Sequence, residues 1–127
     1  MTEQDHHAEL ITGIAEQMQQ VLEGSAQGVY LYLDDSHKIC NKKFAAMLGY
    51  KSPQEWADTE APLSDIMEAD QDTVIKAYMD ASEKMLAAAV EVRAKNIKTE
   101  KVIKLRMIIA PIGYAGHVFT AHFFTKI

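Results

Sequence analysis

Few side chains in this sequence stand where they could do covalent or metal chemistry, and each has a plainer use. Cys40 is the single cysteine and sits among Lys38, Lys42 and Lys43. Neighbouring cations lower a thiol's pKa, so this setting would suit a redox-sensitive thiolate. A small buried filler is the alternative, and the reading we prefer. One cysteine also excludes an intrachain disulfide and a cysteine-rich metal centre. His6-His7 could pick up adventitious metal, but two ligands make a weak site, so no metal site is expected. His117 and His122 fall on or near the last apolar stretch and could face either way; a lone strand histidine is more often a surface or satisfied core residue than a ligand. Tyr30, Tyr32 and Tyr78 carry the hydroxyls that could point into a core. The chain has no GxSxG, Walker loop, HExxH or dinucleotide fingerprint, so it is not expected to be an enzyme.

Composition sets the frame for these residues. The 127 residues, 48% of them hydrophobic, suffice for one domain around a single core. The opening MTEQDHHAEL lacks a basic region followed by an apolar stretch, so a signal peptide is not expected. Apolar runs around Met85–Val90 and Met107–Ile112 fall short of the roughly 18 residues a spanning helix requires. A soluble, cytoplasmic protein without membrane insertion is the expectation. Net charge is −5. Basic residues gather at Arg93, Lys95, Lys98, Lys101, Lys104 and Arg106, while acids dominate before Lys38 and again from Glu55 through Glu60 to Asp72. An acidic chain repels phosphate overall, so we expect no nucleic acid, only a solvated hairpin with a basic outer face.

The elements that must position these groups follow from spacing. From about Asp5 to Leu22, Ile11, Ile14, Met18 and Val21 recur at a 3-4-3 spacing, with Leu10 and Leu22 widening the stripe. This predicts a helix of about 18 residues, roughly 27 Å long. Its face could fold back on its own sheet or pair with a second copy, and Ile11, Ile14, Met18 and Val21 are the candidate dimer interface. Gly28–Asp34 alternates Val29, Leu31, Leu33 with Tyr30, Tyr32, suiting a strand covered on both faces. Asp34-Asp35-Ser36 supplies turn chemistry. Asn41 caps a helix bearing Phe44, Met47 and Leu48 and ended by Gly49. Ser52-Pro53-Gln54-Glu55 reads as a capping box opening a second short helix that carries Trp56. A short helix is expected over Thr59–Met67, starting near Pro62, then a longer one capped by Asp70 and running to about Ala88. Three strands close the chain: Val90–Lys95, a return through Ile103, Leu105, Met107 and Ile109, a turn over Pro111–Gly116, and His117–Thr125.

The order EGSAQG-VYLYLDD-SHKIC-NKKFAAMLGY-KSPQEW resembles the opening half of a PAS domain. In that family a strand, a tight turn and a second strand lead into an Asn-capped helix ending in Gly-Tyr, followed by Ser/Thr-Pro-x-Glu. The resemblance runs from about Val21 to the C-terminus and is strongest over Glu23–Trp56. Ile39 to Asn41 is about two residues shorter than the family spacing, so the second strand should be stubby. The resemblance implies an α+β fold: one five-stranded antiparallel sheet with short helices on one face and an N-terminal helix. It divides the chain into a leading amphipathic helix, residues 1–22, for dimerisation or capping, and a PAS domain, residues 23–127. The family's usual closing Asp-Ile-Thr is replaced by Thr125-Lys126-Ile127, which suggests a stand-alone domain acting in trans or a piece of a larger receptor.

What the resemblance implies about function is a noncatalytic sensory domain for signal transduction. Such a domain binds a small ligand, mediates homodimer or partner contacts, or both, with a histidine kinase or other signalling protein as possible partner. Candidate pocket residues are Phe44, Met47, Leu48, Trp56, Tyr78, Ile103, Leu105, Met107, Phe119, Ala121 and Phe123, although the same side chains would serve to fill a core. Haem is not expected, because haem-binding relatives use a His on the long helix and Asp70–Ala88 has none. A LOV-type flavin is not expected either, since nothing matches GxNCRFLQ. No cofactor is assigned; an unknown small molecule remains open. The alternative architecture is a ketosteroid-isomerase-like α+β cone, enzyme or binding protein. The early strand pair argues against it, and a carboxylate such as Asp34 or Asp65 buried in the cavity would favour it.

Overall fold

A computed structural model describes residues 2–59 and 62–127. Helix α1 (Glu3–Gln17) begins at a capping box: Asp5 N–H donates to Thr2 Oγ1 at 3.1 Å, and Thr2 N–H donates to the Asp5 carboxylate at 3.4 Å. The predicted leading helix is interrupted at Met18 and resumes as α2 (Gln19–Gly24). Strand β1 (Gly28–Asp34) has the predicted bounds, and β2 (His37–Cys40) is as short as the resemblance implies. Helices α3 (Lys42–Met47) and α4 (Pro53–Ala57) follow, then a 3-10 turn at Pro62–Asp65 and the long α5 (Glu68–Lys84). Strands β3 (Ala88–Lys95), β4 (Val102–Tyr114) and β5 (His117–Lys126) complete one antiparallel sheet of order β2-β1-β5-β4-β3.

Local chemistry explains why the pieces start and stop where they do. Asn41 Oδ1 accepts from Phe44 N at 2.9 Å, capping α3, and from Val29 N at 3.0 Å, while Nδ2 donates to Gln27 O at 3.0 Å. One buried amide therefore caps a helix and fixes where β1 enters the sheet. Gly49, at φ +84, ends the turn after α3, and a Cβ there would lie 2.3 Å from Asn96 Oδ1. The β3–β4 turn docks at this point, with Ile97 N–H donating to Leu48 O at 2.8 Å. Ser52 caps α4 as expected, but Glu55 reaches back to Lys51 N–H rather than to Ser52.

Three sequence expectations are corrected here. Asp70 does not cap α5, which starts at Glu68 with Met67 at its cap; its carboxylate instead grips Arg93, taking Nε at 2.9 Å and the backbone N–H at 2.8 Å. The helix also stops at Lys84 rather than Ala88, because Met85 turns left-handed at φ 56 and Ala88 already pairs with Ile109. Pro111, assigned to a turn, lies inside β4 opposite Thr120. Beyond Ile109 that strand has lost β3 as a neighbour, so Pro111 sits at a sheet edge where a missing N–H is tolerated. Of the expected Thr59–Met67 helix, the part at residues 60 and 61, with the Glu60 acid, lies outside the described residues.

The two faces of the sheet pack against different elements. Tyr30, Phe44, Trp56, Leu105, Met107, Ile109 and Phe124 form the core beneath α3, α4 and α5. On the opposite face Leu10 and Ile14 of α1 pack on Leu31, Phe119 and Ala121. Gly13 permits the close approach of α1, since a Cβ on it would lie 2.3 Å from the Tyr114 hydroxyl. The leading helix thus folds back on its own sheet. The β3–β4 half of that face is left to solvent, with Glu91, Arg93, Lys95, Lys104 and Arg106 exposed, the basic outer face read from the sequence.

Candidate functional site: a cup between the sheet and the long helix

The concave side of the sheet and α5 enclose a cavity of about 240 Å³. The sheet contributes Tyr30 and Tyr32 of β1, Ala94 of β3, Leu105 and Met107 of β4, and His122 and Phe124 of β5. Phe44 and Leu48 close one end, Val74, Ile75 and Tyr78 of α5 form the roof, and Leu63, Asp65 and Ile66 close another side. The lining is mostly apolar with few polar groups, the composition of a small-molecule site.

The sequence placed Phe44, Leu48, Tyr78, Leu105 and Met107 at this wall, and they line it. Met47, Trp56 and Ile103 belong to the same core without lining the cavity. Phe119, Ala121 and Phe123 are corrected: they lie on the opposite face, against α1. Residues along a strand alternate faces, and β5 presents His122 and Phe124 to the cup, so the bulkier apolar set belongs to the helix side. Among the dimer candidates, Ile14 is buried against the sheet, Ile11 and Met18 are partly buried there, and Val21 is exposed.

Two polar groups that sequence reasoning left unassigned define the cup's chemistry. His122 is buried at 2% exposure, stacked on the Tyr30 ring, and its Nε2 shares a hydrogen bond of 2.9 Å with the Thr120 hydroxyl. Burial pushes its imidazole down to about 3, so the ring is neutral near pH 7, and Nδ1 has no partner. Asp65 is buried too. Tyr50 donates its hydroxyl to Oδ1 at 2.6 Å, while Oδ2 and the indole N–H of Trp56 are both buried without a hydrogen bond of good geometry, the indole being near enough to favour the carboxylate. Burial raises the Asp65 pKa; the Tyr50 hydroxyl, the nearby Trp56 indole and the Lys38 charge pull the other way without cancelling it. At the rim the Tyr32 hydroxyl donates to Asp35 Oδ1 at 2.6 Å.

Lys38 braces this side of the cup. Its ammonium donates to the backbone carbonyls of Asp35, Ala57 and Thr59 and lies 5.5 Å from the centre of the Trp56 ring. It is buried, and desolvation lowers its pKa. Lys38 is therefore turned toward these carbonyls, and Cys40 is no activated thiol: burial pushes it up to about 12. The filler reading of Cys40 stands.

No family model and no curated protein sequence matches the chain. Solved structures do match in fold. A PAS domain of an HTR-like protein from Haloarcula marismortui superposes with a TM-score of 0.68 at 14% identity, covering 97% of this chain and 99% of that one. A PAS domain from Colwellia psychrerythraea gives 0.69 at 17% identity, covering 90% and 97%. A LOV protein from Rhodobacter sphaeroides gives 0.71 at 14% identity, covering 91% of this chain and 68% of that one. At these identities the likeness speaks for the fold alone. The cone alternative required a different architecture; its distinguishing feature, a carboxylate buried in the cavity, is nevertheless present as Asp65. With strands in the order β2-β1-β5-β4-β3 and the short helices set between β2 and β3, the chain has the PAS fold.

Proposed function

We propose that this domain is a noncatalytic sensor whose cup binds a small, mainly apolar, ring-bearing molecule with one hydrogen-bond donor, such as an amine or a hydroxyl. One observation carries the reading: the lining includes two buried polar atoms without a well-formed hydrogen bond, His122 Nδ1 and Asp65 Oδ2, the latter with only the Trp56 indole near it. Unpaired buried polar atoms cost about 1–3 kcal/mol each, which a ligand that pairs them would recover. A cavity of about 240 Å³ suits a ligand of one or two rings and is small for a porphyrin or an isoalloxazine without repacking. Occupancy would signal only through a difference in affinity between two states of the domain. The helix α1, packed on the far face of the strands that line the cup, is the element placed to feel that difference.

Homodimer formation and a signalling partner such as a histidine kinase belong to the same proposal, as does a cytoplasmic setting. A PAS domain from a two-component sensor histidine kinase is among the structures of the same fold, which supports the partner class. No described helix is long and apolar enough to cross a membrane. A second reading, proton transfer by Asp65 as in a cone enzyme, rests on its raised pKa alone. The decisive experiment is native mass spectrometry of the purified chain, with a thermal-shift screen of small aromatic amines and phenols. A copurifying small molecule, or binders that Asp65→Asn weakens tenfold or more, would support the sensor. Bare polypeptide with no binder in the screen would overturn it.

A further inference from the structure

Where α1 meets the β1–β2 turn, four of the five histidines of the chain gather, two of them on one carboxylate. His7 comes from α1, Asp34 from the end of β1, His37 from the start of β2 and His117 from the start of β5. Asp34 Oδ2 holds His7 Nδ1 at 2.8 Å and Oδ1 holds His37 Nδ1 at 2.7 Å. His7 and His37 are largely shielded, with side chains 16% and 11% exposed. One ligand atom from each of His7, Asp34 and His37 falls within 4.8 Å of the others. The sequence offered only the adjacent His6-His7 pair; the fold brings the other ligands.

We propose that His7, Asp34 and His37 form a site for a divalent first-row transition ion, zinc foremost, that fastens α1 to the sheet. Two imidazoles and a carboxylate are borderline nitrogen and oxygen donors, which suit zinc, nickel, copper or cobalt rather than magnesium or calcium. The spacing of the rings fits as well. A nitrogen about 2.1 Å from a tetrahedral ion places neighbouring ring centres roughly 5 Å apart. The His7 ring lies 5.6 Å from that of His37 and 5.6 Å from that of His117. His117 or a water completes the set of four.

The outer contacts suit the same role. His7 Nε2 faces Glu3 Oε1 at 3.7 Å, the carboxylate–histidine pairing that orients metal-bound imidazoles. Ser36 N–H donates to Asp34 Oδ1 at 3.0 Å and fixes that carboxylate within the turn. An ion arriving here takes the place now held by the two imidazole–carboxylate hydrogen bonds. Each ring would then bind through Nδ1 and carry a proton on Nε2. Helix α1 and the β1–β2 hairpin, 27 residues apart at His7 and Asp34, would then be tied at one point, and metal occupancy would oppose any undocking of α1.

The test is titration of the full chain, freed of metal by a chelator, with zinc alone, followed by calorimetry and by thermal melting. One equivalent should bind and raise the melting temperature. His37→Ala and Asp34→Asn should each weaken binding tenfold or more, and His6→Gln less than threefold. Asp34→Asn preserves shape and an acceptor for Ser36, so it remains informative if His37→Ala folds poorly. Failure to bind zinc would overturn the proposal. So would an affinity unchanged within threefold in His37→Ala and Asp34→Asn, which places the ion on the His6-His7 pair alone.

Discussion

The imidazole of His122 lies against the Tyr30 ring, 3.9 Å between centres and 14° between planes. The two residues are register partners across β1 and β5, so strand pairing itself produces the stack. A ring so buried resists protonation, and its pKa falls from 6.5 to about 3. Between those values the unfolded chain takes up a proton that the folded chain refuses, so stability is complete above 6.5 and declines as pH falls below it. The slope should be on the order of 1 kcal/mol per pH unit. Asp34, Asp70 and Asp80 have lowered pKa values and add their own losses only in more acid solution. Urea melts of wild type and His122→Gln at pH 7 and pH 4.5 check this. The variant should be weaker at pH 7 but lose less on acidification, and parallel slopes would refute the assignment.

Asp65 titrates in the opposite sense. Its folded pKa is raised, so the fold favours the protonated acid and loses stability as pH rises through the shifted value. Asp65→Asn removes the desolvated charge and keeps an oxygen for the Tyr50 hydroxyl. We expect a gain of about 1 kcal/mol at pH 7, a few degrees in Tm. The same variant should bind donor-bearing ligands less well, the pattern of a residue kept for binding at a cost in stability. A variant less stable than wild type at pH 7 would show that the charge is compensated by groups beyond Tyr50, Trp56 and Lys38.

How much of this could be read in advance depended on how local the determinant was. As caps and stop of short helices, Asn41, Gly49 and Ser52 act on residues within a turn of themselves, and those roles were legible; the grip of Asn41 on Val29 and Gln27 was not. The face of β5 was not, because side chains alternate strictly and Phe119, Ala121 and Phe123 are as apolar as any wall of a cup. Only the pairing Tyr30↔His122, between distant strands, decides that the even-numbered residues face inward. In the His7–Asp34–His37 cluster the Asp34/His37 pair is local, but His7 lies 27 residues from Asp34, and nothing in the sequence joins the two. Lys38 was hidden for another reason: its partners are backbone carbonyls, which every residue has.

That lysine supplies a third prediction. Its ammonium holds the carbonyls of Asp35, Ala57 and Thr59 together, bracing the β1–β2 turn against the segment after α4. Lys38→Met keeps the aliphatic stem over Trp56 but removes all three hydrogen bonds. Bonds from a charged donor are worth about 1.5–3 kcal/mol each, partly offset by the relief of burying no charge. A net loss of about 2–3 kcal/mol is expected by chemical denaturation. Stability within 0.5 kcal/mol or so of wild type would mean that water replaces the ammonium.

The last prediction separates packing from association along the α1–α2 segment. Ile14 is 1% exposed, pressed on Leu31, Phe119 and Ala121, whereas Val21, on the same predicted stripe, is 38% exposed. Ile14→Glu would bury an unpaired carboxylate or lift the helix off the sheet. It should cost about 3 kcal/mol or more whatever the oligomeric state. Val21→Glu places the charge in solvent and should leave stability within about 0.5 kcal/mol. If the α1–α2 segment also pairs two chains through the rest of the stripe, Val21→Glu alone, in α2, should shift sedimentation toward the monomer while the urea midpoint measured on dilute protein holds. Ile14→Glu would then lose both together, because the helix that carries the interface has come away from the strands. A wild-type chain that sediments as a monomer at every concentration removes the dimer from the proposal and leaves the Ile14 cost standing, since that cost belongs to the fold.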